Sequence, residues 1–273
     1  MQSCDAVQGA ADICRSSSDN PEKSVLFFRL PRVPSASGAF DFVKREISSL
    51  MRTLCGPAEP PSEDEISSAI QEENRIRDLV SKLYSLQPRI PSEIFYSIIR
   101  NVHTQPPEKS LRLLGTSVQE ACLPENKTGI ILAGSHLPPP GLLRIIEESG
   151  LRVYGDFLDL GFLYQADRIP EKEGLTDSSA LGILNRIPAL GQYRRVSEGY
   201  RLLISRYRET RSRGVIYYRY PFCDPCGFEF PALKKLLDKD GIPIIKIELE
   251  SGGEMHQAVT RIEAFREMIG GIL

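Results

Sequence analysis

The sequence predicts an α/β protein: a helical connector followed by a flavodoxin-like domain built on a parallel sheet. Three observations carry this. Short apolar runs bounded by turn residues recur late in the chain, at Gly129–Ala133, Leu151–Gly155, Gly214–Tyr218 and Ile242–Leu249, as strands buried on both faces should read. Segments of helical character stand between them, and strands alternating with helices imply βαβ units. By contrast, residues 31 to about 110 carry no strand signal.

Taken in order, Ser24–Leu30 (SVLFFRL) reads as a strand stopped by Pro31. A helix is expected over Ala39–Leu54, ended by Gly56-Pro57 and followed by a turn-rich linker, PAEPPSEDE. Ser62 with Glu65 forms a capping box, S-x-x-E, opening a second helix that reaches about Leu86. Its apolar positions, among them Ile66, Ile70, Ile76, Leu79, Val80 and Leu83, recur at helical spacing. Pro88 breaks it, Ser92–Val102 is a third helix, and His103–Lys109 reads as a loop. In the second half, helices are expected over Leu142–Ser149, 176–186, 194–212, Phe230–Asp238 and Glu254–Ile269. The division that follows is a segment 1–30, a helical connector 31–126 and an α/β domain 127–273.

Composition narrows the function classes. Of 273 residues, 34 are Lys or Arg and 36 are Asp or Glu, a formal net charge of −2. Such a balance gives no electrostatic reason to expect nucleic acid or a membrane surface as a partner. No apolar run approaches the roughly 20 residues of a membrane span. The start, MQSCDAVQGAADIC, has no basic region followed by an apolar one, so the expected compartment is the cytoplasm. There, the six cysteines are not expected to build a disulfide framework.

In open parallel sheets, ligands collect beyond the C-terminal ends of the strands. The four segments leaving those ends are Gly134–Pro138, Asp156–Gly161, Tyr220–Gly227 and Glu250–Gly253. Topology can therefore bring Ser135, Asp159 and Cys223 to one rim. The Cys223-Asp224-Pro225-Cys226 stretch is the most specific local signal. A CxxC between a strand and a helix can be a thioredoxin-like exchange pair, whose first thiol is activated by the helix N-terminus, or can supply a metal or cluster ligand. Both cysteines can also be structural thiols at a helix start. His136 is a candidate proton carrier in a strand-end loop, while His103 and His256 show no partner signal. Arg194, Arg195, Arg211 and Arg213 are candidates for phosphate contacts or plain solvated charges. No Ser-His-Asp spacing, Walker loop or GxGxxG is present.

Three stretches together resemble the C-terminal domain of the 2-hydroxyacyl-CoA dehydratase / benzoyl-CoA reductase family, the iron–sulfur subunits that bind acyl-CoA. They are GIILAGSHLPPPGLLRIIEESGLRVYGDFLDLG, then GVIYYRYPFCDPCGFEFPALKKLLDKDGIPIIKIELE, then VTRIEAF. Upstream, Ser3-Cys4-Asp5 and Leu30-Pro31-Arg32 also resemble family segments. The resemblance implies a 4Fe–4S cluster accepting one electron from an ATP-driven activator protein. That electron makes a ketyl radical from a CoA thioester, allowing dehydration or ring reduction. Cys4 and Cys223 stand at two of the family's three cluster-ligand positions. Where the third Cys falls, in an Asp-Asp-Leu-Cys-Thr-Gly segment, this chain reads Asp156-Phe157-Leu158-Asp159-Leu160-Gly161, so Asp159 replaces a thiolate. Cubanes prefer thiolates to harder carboxylates, and Cys226 is a candidate replacement ligand. Family members carry a further α/β domain upstream, so residues 1–30 are expected to be its remnant. A pocket between two domains needs both walls, so the chain is expected to work with a second dehydratase or reductase subunit. The alternatives left open are a non-catalytic partner subunit without a cluster and a thioredoxin-like redox protein.

Overall fold

The computed structural model describes residues 5–16, 26, 28–31, 33–119, 127–134, 136–165, 168–171, 175–186, 196–249 and 255–271. Cys4, Ser135, Arg194, Arg195 and Glu250–Gly253 lie outside them. In chain order the elements are α1 (Asp5–Ser16), α2 (Ala39–Cys55), α3 (Glu63–Ser85), a 3-10 turn (Gln87–Arg89), α4 (Ser92–Thr104), α5 (Pro107–Gln119), β1 (Thr128–Gly134), α6 (Pro140–Glu148), β2 (Leu151–Leu158), α7 (Phe162–Gln165), α8 (Leu175–Arg186), α9 (Val196–Glu209), β3 (Val215–Arg219), α10 (Asp224–Lys239), β4 (Ile244–Glu248) and α11 (His256–Gly270). Two compact units result: residues 1–71 with 169–188, and residues 72–168 with 189–273.

The second unit holds the sheet, and its four strands are parallel in the order β2-β1-β3-β4. This is the flavodoxin-like order as far as four strands define it. Alternate strand residues point to opposite faces, and both faces are covered. Ile130, Leu132, Val153, Ile216, Tyr218 and Ile247 join a core with Leu83 and Phe95 from the upstream helices, Leu142 and Ile146 of α6, and Ile262 and Phe265 of α11. Ile131, Ala133, Phe157, Val215, Tyr217 and Ile244 pack on Leu203 of α9 and Leu233 and Leu237 of α10. That double burial is why β1 and β3 read as nearly unbroken apolar runs.

The capping box forms as its spacing predicts: the Ser62 backbone N–H donates to Glu65 Oε2 at 2.8 Å, and the Glu65 N–H donates to Ser62 Oγ at 3.3 Å. In the first unit, α2 packs along α8.

Four expectations need correction. Leu26 and Phe28–Leu30 form no strand; the Arg29 N–H is satisfied instead by Glu46 of α2, 3.0 Å away. The loop expected over His103–Lys109 shrinks to Gln105-Pro106, because Pro107 can open a helix, where its missing N–H costs nothing. Helix α10 starts at Asp224, six residues before the expected Phe230, since Pro225 lies in its first turn and Pro231 is accommodated inside it. Strand β2 runs on to Leu158, so Asp156 is a strand residue and not part of the segment leaving the strand.

Candidate functional site

The strand order reverses at β1: the chain leaves it toward β2 on one side and β3 on the other. In such sheets the crevice for ligands opens at this point, beyond the C-terminal ends of the strands. Here those ends are level. Gly134 stands opposite Leu158 of β2 and Tyr218 of β3. Asp159 is therefore the first residue beyond β2, His136 the second beyond β1, and Cys223 the fourth beyond β3.

Gly134 makes this rim close. Its φ is +148°, and a Cβ there would sit 2.1 Å from the Tyr218 carbonyl oxygen. Both the backbone conformation and the approach require glycine. Gly134→Ala is expected to cost about 3 kcal/mol through combined strain and overpacking, read as a lowered midpoint in denaturant unfolding. Nearby, the Tyr218 hydroxyl donates to the His136 carbonyl, tying the β1 loop to β3. Burial holds the Tyr218 phenol well above its ordinary range. His136 itself is exposed.

The turn carrying Asp159 is held from two sides. From below, the fully buried Asp156 accepts a hydrogen bond from the Phe162 N–H at 2.8 Å and another from the Tyr96 hydroxyl at 2.9 Å. Gly161 lies so close over that carboxylate that a Cβ would meet Asp156 Oδ1 at 2.4 Å. Burial raises the Asp156 carboxyl above its ordinary value, although these donors and the charge of Arg206 act the other way. Arg206 is itself buried, its guanidinium carbon 4.6 Å from the Phe162 ring centre and its Nη1 3.1 Å from Glu209. From the side, His103 Nε2 lies 2.8 Å from the Leu160 carbonyl oxygen. A carbonyl only accepts, so Nε2 carries the proton. Burial lowers the His103 pKa, which keeps that ring neutral at pH 7.

On the β3 side, Phe222 adopts a left-handed backbone, φ +62°, with its ring 96% exposed. A bulky residue in that region is uncommon and marks a constrained turn. Cys223 follows as the N-cap residue of α10, half-buried, its carbonyl accepting the Gly227 N–H at 2.9 Å. Cys226 is buried in the first turn of the same helix. Burial, the neighbouring Cys223 and the Asp159 charge push its thiol up to about 12, against a lowering contact from Tyr217. Asp159, leaving the end of β2, and Cys223, at the start of α10, both lie at the C-terminal edge of the sheet. Arg219 closes the site beneath α10, paired with Glu248 and lying against Gly227.

Asp159 follows the end of β2, Cys223 and Cys226 stand at the start of α10, and Cys4 lies outside the described residues. Among those residues no three His, Cys, Asp or Glu side chains form a ready metal group. Arg211 and Arg213 precede β3 and so lie at the opposite end of the sheet from the rim, away from any ligand bound there. His103 has the partner that its sequence did not reveal. The supports Asp156, Tyr96 and Arg206 also escape a reading by sequence, although an Asp inside an apolar strand run is a usable signal.

The sequence model of the family "2-hydroxyglutaryl-CoA dehydratase, D-component" matches residues 1–269. The chain belongs to this family. Among relatives of the D-component family, the (R)-phenyllactyl-CoA dehydratase beta subunit of Clostridium sporogenes is 27% identical over 141 residues, 51% of this chain and 37% of that protein. The (R)-2-hydroxyglutaryl-CoA dehydratase subunit beta of Acidaminococcus fermentans is 24% identical over 267 residues, 90% of this chain and 68% of the relative. The first match therefore spans little more than a third of that relative's length. No helix among the described residues is long and apolar enough to cross a membrane.

Proposed function

We propose that this D-component chain is a subunit of a cytoplasmic 2-hydroxyacyl-CoA dehydratase system, holding a 4Fe–4S cluster at the rim where β1, β2 and β3 end. The observation that carries the reading is the joint position of Cys223 and Asp159, which follow the level C-terminal ends of β3 and β2. Cys223 and Cys4 would supply thiolates. Asp159 would supply an oxygen ligand, with Cys226 as the alternative. When bound, the cluster supplies one electron to an acyl-CoA thioester. The chain's own residues do the positioning. Asp156 and His103 fix the backbone of the turn that presents Asp159. The left-handed turn at Phe222 and the N-terminus of α10 fix Cys223. Both relatives are named as beta subunits of dehydratases, which supports a second subunit as partner, and the resemblance described above supports an ATP-dependent activator as electron donor.

The reading is tested by anaerobic reconstitution with ferrous iron and sulfide, followed by desalting. Wild type is expected to retain iron and acid-labile sulfide in equal amounts with a charge-transfer band in the visible, and Cys223→Ser is expected to retain neither. Equal retention by both proteins would mean that the cluster is not held at this rim. Absence of iron and sulfide from both would favour a non-catalytic partner subunit instead.

A further inference from the structure

We propose that Cys223 and Cys226 form a reversible disulfide across the first turn of α10, a redox switch on the rim. Cys223 is the N-cap and Cys226 the third helical residue, after Asp224 and Pro225. Two residues three apart on a helix have Cα atoms about 5 Å apart, inside the range that a disulfide bridges without backbone movement. The Gly227 N–H on the Cys223 carbonyl holds the turn in this form.

Burial divides the roles. Cys223 is half-buried and within reach of a small oxidant, whereas Cys226 is only 7% exposed. The oxidant is a low-molecular-weight disulfide. The Cys223 thiolate attacks one of its sulfurs, forming a mixed disulfide and releasing one thiol. Cys226 then attacks the Cys223 sulfur, and the second thiol leaves. Two protein thiols lose two electrons, the small disulfide gains them, and the two protons pass to the two product thiols. A Cys223 sulfur bonded to Cys226 is no longer a thiolate, so the oxidised chain cannot use it as a ligand. The disulfide itself depends only on the two cysteines and stands whether or not the proposed cluster exists.

The test uses the full chain, stripped of metal with a chelator and equilibrated anaerobically with oxidised glutathione. Acid quenching, alkylation and peptide mass measurement then follow. The expected result is one peptide carrying both Cys223 and Cys226, unalkylated and lighter by two hydrogens, with Cys14 and Cys55 still alkylated. In Cys226→Ser the reaction should stop at the mixed disulfide, so glutathione trapped on Cys223 should rise at least about tenfold over wild type. Wild type that traps glutathione on Cys223 as fully as Cys226→Ser overturns the proposal. So does full alkylation of both cysteines after exposure to the oxidant.

Discussion

Replacing Asp156 by Ala is expected to destabilise the protein by about 3–5 kcal/mol, the largest loss at any single position near the rim. The carboxylate is fully buried and accepts from both the Phe162 N–H and the Tyr96 hydroxyl. Truncation leaves these donors without an acceptor in a dry interior, and removes the negative charge facing buried Arg206. It also opens a cavity under Gly161. Denaturant unfolding reads the loss directly.

Asp156→Asn separates hydrogen bonding from charge. The amide oxygen can still accept from Phe162, so most of the loss should be recovered. The sign of the pH dependence follows from the raised pKa. Burial lifts the folded-state value above 3.8, so the folded protein holds the proton more tightly than the unfolded chain. The associated stability is present below pH 3.8 and is lost as pH rises through the folded value. The stability of wild type relative to Asp156→Asn should therefore fall as the pH is raised from about 4. A difference that stays flat with pH would show that Asp156 is not titrating in this way.

The sheet is legible because its central strands, β1 and β3, are buried on both faces. The runs at β1 and β3 contain few other possibilities, and their turn residues fix where they stop. The β2 run is legible too, but its pattern ends at Gly155, because the charge of Asp156 resembles the start of a loop. Only the tertiary setting, with Tyr96 and Arg206 brought in from distant helices, makes a carboxylate tolerable inside a strand. The same holds for His103: its partner is a backbone carbonyl 57 residues away, and a carbonyl leaves no mark on a sequence. The start of α10 is hidden for a local reason. Two prolines and a glycine among residues 225–231 argue against a helix, yet Pro225 falls where the first turn needs no N–H. By contrast, the strand-end position of Asp159 and the helix-start position of Cys223 and Cys226 are legible from the strand-end rule and the CxxC spacing, because those signals are local. The strand expected at Ser24–Leu30 shows the converse limit. An apolar run satisfies the pattern, but a strand needs a neighbour to complete its ladder, and Arg29 bonds to Glu46 on a helix instead.

On the proposed function, Asp159→Cys should raise iron retained per chain by about twofold or more and slow its loss in air. The position is held by the Asp156 and His103 contacts to the backbone of the turn, none of which involves the Asp159 side chain, so the replacement thiol should be presented from the same place. Thiolate is the softer ligand and binds the irons of a cubane more strongly than carboxylate. It also restores the pattern that the family resemblance implies. Cys226→Ala distinguishes two ways in which wild type could complete its ligand set. If Cys226 has taken over, the substitution should empty the site in wild type but leave Asp159→Cys loaded, because the new thiol makes Cys226 redundant. If Asp159 is the ligand, Cys226→Ala should leave iron content unchanged in both backgrounds. Iron and sulfide per chain, measured after anaerobic desalting and again after timed exposure to air, separate these outcomes. A wild type that already holds four irons per chain, unchanged by either substitution, would show that the carboxylate at position 159 is as good a ligand as the thiolate it replaces, or that it takes no part in holding the cluster.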